Sequence, residues 1–168
     1  MRVLGVDPGL RCTGYGAVDV TERTARLVEA GIITPGVHAP LERRLGELHA
    51  ELCAVLAAVR PDVMVVEELW TAYKNPTTAV LMGHARGVLC LAADAHGVAV
   101  RHLVHSHVKR ALTGSGAARK EQVKRMVMLR LELVTTPEPD DVSDALALAL
   151  AFANLERTDR RLARAGIA

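Results

Sequence analysis

The chain lacks the features that would place it in several common classes. Its 168 residues hold only three cysteines, Cys12, Cys53 and Cys90, widely spaced and without a C-x-x-C pair. That excludes a disulfide framework and a cysteine-ligated zinc site, and leaves buried free thiols. The longest apolar run, Ala145 to Ala153, falls far short of the ~20 residues that a bilayer-spanning helix needs. Asp7 interrupts the first apolar stretch, so the N-terminus lacks the layout of a secretory signal and a cytoplasmic location is expected, with no membrane partner. Net charge is only +2, which permits nucleic-acid binding without arguing for it. Aromatic residues are scarcest of all: Tyr15, Trp70, Tyr73 and Phe152 are the complete set. There is no internal repeat and no linker fit to separate domains.

What is present fits one compact domain. Half of the residues are apolar, enough to bury a core. Residues 2–7, 14–20 and 25–34 read as three successive strands, an antiparallel meander punctuated by Asp7-Pro8-Gly9 and Pro35-Gly36. From Pro40, leucines and valines recur at three- and four-residue spacing until Pro61, the pattern of an amphipathic helix. Residues 62–67, DVMVVE, are the nearly all-apolar run of a strand buried on both faces. A helix over Thr77 to Ala95 closed by Gly97, a strand over 98–104, and helices over 106–113, 119–133 and 141–155 complete the chain. The last of these is apolar almost all round and should be buried. The order βββ-α-β-α-β-α-α-α, with right-handed crossovers, gives a mixed sheet flanked by helices. Basic residues concentrate between Lys109 and Arg130, and again in residues 156–168, which read as a basic C-terminal tail without fixed structure beyond the 1–155 domain.

Asp7 and Glu67 each end an apolar strand, and sites in open α/β sheets form at the carboxyl ends of strands. If those strands are adjacent and parallel, the two carboxylates meet. Asp7 alone also suits a turn residue bonded to its own backbone. A glutamate gains no such advantage at position 67. Asp141 and Asp144 share one face of a helix start, where a capping box would explain them equally well. Taken together, four carboxylates at element ends would repel one another unless cations lay between them. Hard oxygen ligands suit Mg²⁺ or Mn²⁺, and two such ions about 4 Å apart promote phosphodiester hydrolysis. Lys109 and Lys120 are placed to hold a phosphate or support the attacking water. Trp70 and Tyr73 follow Glu67 by one short loop. Core packing is the ordinary role of an aromatic, but here base stacking is favoured, worth roughly 1–3 kcal/mol per base. A zinc site from His102, His105 and His107 would have to bridge a strand-to-helix junction, and no H-E-x-x-H is present.

Five ordered segments, VLGVDPGLRCTGYGAV, DVMVVEELW, KNPTTAVLMGHARGV, HVKRALTGSGAARKEQVKRMV and DDVSDALALALA, resemble the RuvC family of bacterial Holliday junction resolvases from about Arg2 to about Ala153. The resemblance implies an α/β, RNase H-like fold with a five-stranded mixed sheet flanked by helices. It implies Asp7, Glu67, Asp141 and Asp144 as ligands of Mg²⁺ or Mn²⁺, two ions per site, with Lys109 and Lys120 as functional lysines. Trp70 stands where the family usually has a phenylalanine that probes junction bases. Tyr73, Lys74, Arg119 and Lys124 are expected to contact DNA beside it. The family further implies a homodimer making two symmetric nicks in a four-way DNA junction, the RuvA and RuvB branch-migration proteins as partners, and short thymine-containing cut sites. The apolar stretch around Val80, Leu81, Val88 and Leu89 is the expected dimer face. The chain departs from the family at His105 and Ser106, where a tyrosine and a proline are common, and by the extra acid Asp140.

Three other readings compete. A two-lobed phosphate-binding ATPase also opens with a strand, an acid and glycines, but needs a second comparable half. A ribonuclease acting on hybrids would share the acid cluster. A non-catalytic junction-binding protein would keep the basic surface, with its acids serving only as caps.

Overall fold

The computed structural model describes residues 1–68 and 75–166. Strands β1 (Arg2–Asp7), β2 (Thr13–Val20) and β3 (Ala25–Ile33) are followed by helix α1 (Leu41–Val59), strand β4 (Val63–Glu67), helix α2 (Pro76–Ala95) and strand β5 (Ala99–Leu103). Helices α3 (His105–Thr113), α4 (Lys120–Leu131) and α5 (Asp140–Arg164) close the chain. The five strands form one mixed sheet in the order β3-β2-β1-β4-β5. The first three strands pair antiparallel, whereas β1, β4 and β5 run parallel. This is the predicted order of elements, and the predicted mixed sheet flanked by helices.

Strand alternation sorts the core into two layers. Val3, Val18, Val63 and Val65 face a layer built by α3, α4 and α5. Leu4, Val6, Met64 and Val66 face α1 and α2. The central strands β1 and β4 are therefore apolar on both faces, which explains their unbroken hydrophobic runs. The same alternation turns Asp7 and Glu67, two residues beyond Gly5 and Val65, toward the α5 side.

Helix α5 lies against the sheet at very short range. A Cβ on Gly5 would sit 1.9 Å from the Ala145 carbonyl oxygen, and one on Gly14 would sit 2.1 Å from that of Asp141. Gly16 lies under Leu146 in the same way, 2.5 Å from its nearest methyl. Glycine here supplies close approach rather than unusual backbone angles. From Val142 to Ala153 every residue of α5 is buried except Asp144.

Two details differ from the sequence reading. Helix α5 does not stop near residue 155 but continues to Arg164, so residues 156–164 form a helical extension, exposed from Thr158 onward, where an unstructured tail was expected. The added turns are laced by ion pairs, Arg160 with Glu156 at 3.5 Å and Arg164 with Glu22 at 3.3 Å. Along α2, Leu89 is fully buried in the chain's own core while Val80 is 58% exposed. Leu89 is therefore removed from the expected dimer face, because its apolar surface is already spent on α1 and the sheet.

Gly5→Ala is expected to lower stability by about 1–3 kcal/mol, the usual cost of overpacking. Gly46→Ala, on an exposed turn of α1 with nothing within 4 Å, should raise it by about 0.5–1 kcal/mol. Urea unfolding of both variants measures the contrast, and equal midpoints would mean that α5 can retreat from the sheet at no cost.

Candidate active site

The register of β1 on β4 places Val6 opposite Val66, so Asp7 and Glu67 leave neighbouring strands side by side. The turn after Asp7 is held by Thr13, whose hydroxyl donates to the Gly9 carbonyl at 2.6 Å and accepts from the Gly9 N–H at 3.1 Å. Arg86 of α2 donates to the Glu67 carbonyl and contacts His102 Nδ1 at 2.6 Å, tying the end of β4 to β5. Burial, followed by the Arg86 charge, pulls the His102 imidazole below its ordinary value.

The N-terminus of α5 brings in the other two acids. Its N-cap is Pro139, without a side-chain cap, and Asp140 and Asp141 occupy the first turn. The capping-box alternative for Asp141 and Asp144 thus fails: neither residue is the cap. Asp144 lies one turn further in and faces α4, where Lys120 Nζ donates to its Oδ2 at 2.8 Å. Lys120 also pairs with Asp140 at 3.1 Å, and Lys124 bonds the other oxygen of Asp140.

Asp7, Glu67, Asp144, Lys109, Lys120 and His105 line one cavity of about 90 Å³. Asp141 lies just outside it, close enough for its charge to act on Asp7. Burial drives the Asp7 carboxyl up to about 7, and the charges of Glu67, Asp144 and Asp141 push the same way against Lys120. Burial opposes the Lys120 ammonium, but its hydrogen bonds to Asp144 and Asp140 outweigh that and hold it above the ordinary lysine range. Lys124 and Lys120 hold Asp140 below the usual carboxylate range. The Cys12 thiol is pushed up to about 11, first by burial and then by Asp141, so it stands beside the cluster as a neutral group.

Of the residues singled out in the sequence, the structure therefore brings Asp7, Glu67, Asp144, Lys109 and Lys120 together, with Asp141 adjacent. Lys109 lies in the second turn of α3 and makes no side-chain hydrogen bond among the described residues. Arg119 is the exposed N-cap residue of α4, its N–H held by Gln122 Oε1 at 2.8 Å. Lys124 is paired inward with Asp140. Trp70, Tyr73 and Lys74 lie outside the described residues. Two participants were not selected from sequence. His105 Nδ1 sits 2.9 Å from Glu67 Oε1, and Arg86 anchors the Glu67 backbone. His105 begins the helix that carries Lys109, a signal that pointed to the junction but not to its partner.

The donor chemistry fits a divalent cation. Three carboxylates surround the half-buried Asp7, whose proton is held by burial and by their repulsion, and a cation among these four hard ligands would relieve that repulsion. Among the described residues no three carboxylate, imidazole or thiol groups already close on one point. Asp144 is engaged by Lys120 and Glu67 faces His105, so ligation would exchange these partners.

A family model described as crossover junction endodeoxyribonuclease RuvC matches residues 3–152. The chain belongs to the RuvC family. Among named relatives, the RuvC protein of Rhodopirellula baltica is 45% identical over 88% of this chain and 83% of its own. That of Thermomicrobium roseum is 43% identical over 94% and 95%. A Thermus thermophilus RuvC structure superposes with a TM-score of 0.88 at 36% identity, covering 95% of this chain and 97% of that one. The same protein in complex with a Holliday junction substrate gives 0.87 at 34% identity, over 94% and 96%. These likenesses make the sheet and its helices an RNase H-like fold and the chain a member of a junction-nuclease family.

The Asp7 value has a consequence for stability. Its folded value of about 7 lies above the ordinary 3.8, so the folded state holds the proton more tightly than the unfolded state. Below the unfolded value the residue costs nothing. As pH rises from about 4 to about 7 the cost grows, and above 7 it is fully present. Asp7→Asn in EDTA should therefore be more stable than the parent by roughly 4 kcal/mol at pH 8. The gap should close toward pH 4. A pH-independent gap in thermal melting would show that Asp7 carries no such strain.

Proposed function

We propose that this chain resolves four-way DNA junctions by cutting two symmetrically placed strands in a reaction that depends on divalent cations. The observation that carries the proposal is the convergence of β1, β4 and the start of α5, which sets Asp7, Glu67 and Asp144 on a cavity bordered by two lysines, with the Asp141 charge acting on Asp7 from just outside it. An RNase H-like frame with scattered acids would suit many nucleases. Family membership over residues 3–152 selects the junction as substrate over an RNA–DNA hybrid. No helix among the described residues is long and apolar enough to cross a membrane.

In this reading Asp7, Glu67, Asp141 and Asp144 hold Mg²⁺ or Mn²⁺, two ions per site. When bound, the ions would supply charge neutralisation at the scissile phosphate and an activated water. The chain's own groups do the rest. With Asp144 given over to a cation, Lys120 would keep its pairing with Asp140, which holds its ammonium near the cavity. Its positive charge then lies where negative charge develops on the phosphate. Lys109, unpaired within the described residues, is free to take a phosphate oxygen. His105 orients the Glu67 carboxylate, and Arg86 fixes the strand end that carries it. Arg119, exposed ahead of α4, contacts the DNA backbone; Trp70 and Tyr73 meet junction bases, with Lys74 contacting the DNA beside them; and Lys124 acts through Asp140.

A four-way junction is twofold symmetric, so an isologous dimer presents two identical sites to matching strands. The exposed Val80 of α2, beside the half-buried Val88, is the face assigned to that dimer, whereas Leu81, expected there from the sequence, lines the cavity next to Asp141 instead. The RuvA and RuvB proteins are the partners expected to deliver the junction, in the cytoplasm.

The test is a cleavage assay on a mobile, thymine-containing four-way junction with Mg²⁺, Mn²⁺ or EDTA, resolved on a denaturing gel. Paired, metal-dependent nicks are expected, with linear duplex and hybrid left intact. Asp7→Asn should abolish cutting while retaining junction binding. Lys120→Ala should slow it about 10²-fold or more, the scale of a lost transition-state contact. Tight binding with no cutting under any metal would leave a junction-binding protein. Val80→Lys should shift the sedimentation of the chain toward the monomer; unchanged sedimentation would move the dimer face elsewhere.

A further inference from the structure

A second, larger cavity opens beside Asp141, and it contains none of the other three acids. Its volume is about 550 Å³, within the roughly 300–1,000 Å³ range of ordinary ligand sites. The β1–β2 turn, the start of α1 and the start of α2 border it, and it is open to solvent on one side. Its walls divide by chemistry. Leu81 and Met82 of α2 give an apolar side, whereas Arg11, His38 and Arg44 give a basic one.

The basic side lacks a matching anion. Arg44 is half-buried, and one of its Nη atoms donates to the Leu10 carbonyl at 2.7 Å, pinning the turn that carries Arg11. Its Nε is buried without any hydrogen-bond partner. Arg11 is exposed and makes no side-chain hydrogen bond or ion pair among the described residues. A guanidinium drawn out of water without a carboxylate is costly, and a planar fork of donors suits phosphate. Asp141, the only acid on the cavity wall among the described residues, also belongs to the candidate metal cluster. A phosphate seated here would thus adjoin that cluster, with an apolar surface beside it for a sugar and a base.

Building on the junction-cleaving reading, we propose that this cavity is a subsite for one nucleotide of the strand that continues from the scissile phosphodiester. Its phosphate lies on Arg11 and Arg44, and its base and sugar lie against Leu81 and Met82. Such a site offsets the repulsion between DNA and the acid cluster at the point of cutting. It also lets the chain sense the identity or presence of a base next to the cut.

Two measurements on the full chain test this. The first is equilibrium binding of a fluorescein-labelled junction in EDTA over a salt series. Arg11→Ala should weaken binding about tenfold, the scale of a charge-assisted hydrogen bond. It should also reduce the slope of log K against log salt by about one. The second is cleavage of junctions in which one nucleotide flanking the cut, on either side in turn, is replaced by an abasic residue. One of these replacements should slow the parent chain. Met82→Trp, which fills the cavity and leaves both guanidiniums in place, should cut slowly and be indifferent to that replacement. Arg11 is exposed, so Arg11→Ala decides the matter even if Met82→Trp unfolds. Parental affinity and salt slope in Arg11→Ala, with equal cutting of abasic and intact junctions by the parent, would overturn the subsite. Failure of the parent to cut any junction would instead overturn the junction-cleaving reading on which it rests.

Discussion

Everything at the acid cluster depends on how closely α5 can lie on β1 and β2. Helix and sheet usually stand off by the length of their side chains. Here Gly5, Gly14 and Gly16 remove those side chains, and the carbonyls of Ala145 and Asp141 occupy the space that Cβ atoms would need. That proximity is what turns two acids at the start of a helix into neighbours of two acids at the ends of strands. It also explains why α5 is apolar on nearly every side: the helix is buried in the middle of a layer, with α3 and α4 covering what the sheet does not.

The cluster is an electrostatic conflict maintained by packing. A carboxyl pushed to about 7 by burial and by three like charges gains nothing for the fold. Lys120, Lys124 and His105 moderate the conflict by pairing with Asp144, Asp140 and Glu67. These partners are exchangeable, since each is a long or partly exposed side chain at the cavity edge. Sites of this kind trade stability for readiness to bind a cation. The extra acid Asp140 enters here, because it gives Lys120 a second partner when Asp144 is engaged elsewhere.

Much of the architecture was legible in the residues. The unbroken apolar runs ending at Asp7 and Glu67 read as central strands, and the leucine spacing after Pro40 read as a helix with one buried face. Both readings rest on periodicity, which survives folding unchanged. The capping of α5 was not legible: three acids at a helix start satisfy the same local pattern whether they cap the helix or face a neighbour. The end of α5 was missed because residues 156–164 lose the apolar pattern, and their helix is carried by continuation from a buried segment and by ion pairs to Glu156 and Glu22. Leu89 illustrates a third limit, since a leucine facing the core and one facing a partner look alike in one dimension.

By itself the sequence determined which residues carry charge, where strands and helices begin, and, through five ordered segments, the family. Those are local or inherited properties, and each is written in contiguous residues. Tertiary structure alone decided that Asp144 meets Lys120, that Glu67 meets His105, and that Arg11 and Arg44 border a cavity next to Asp141. The physical reason is that these pairs lie far apart along the chain. Their distances are set by the register of β1 on β4 and by the depth to which α5 sinks onto its glycines, and no local pattern encodes either quantity.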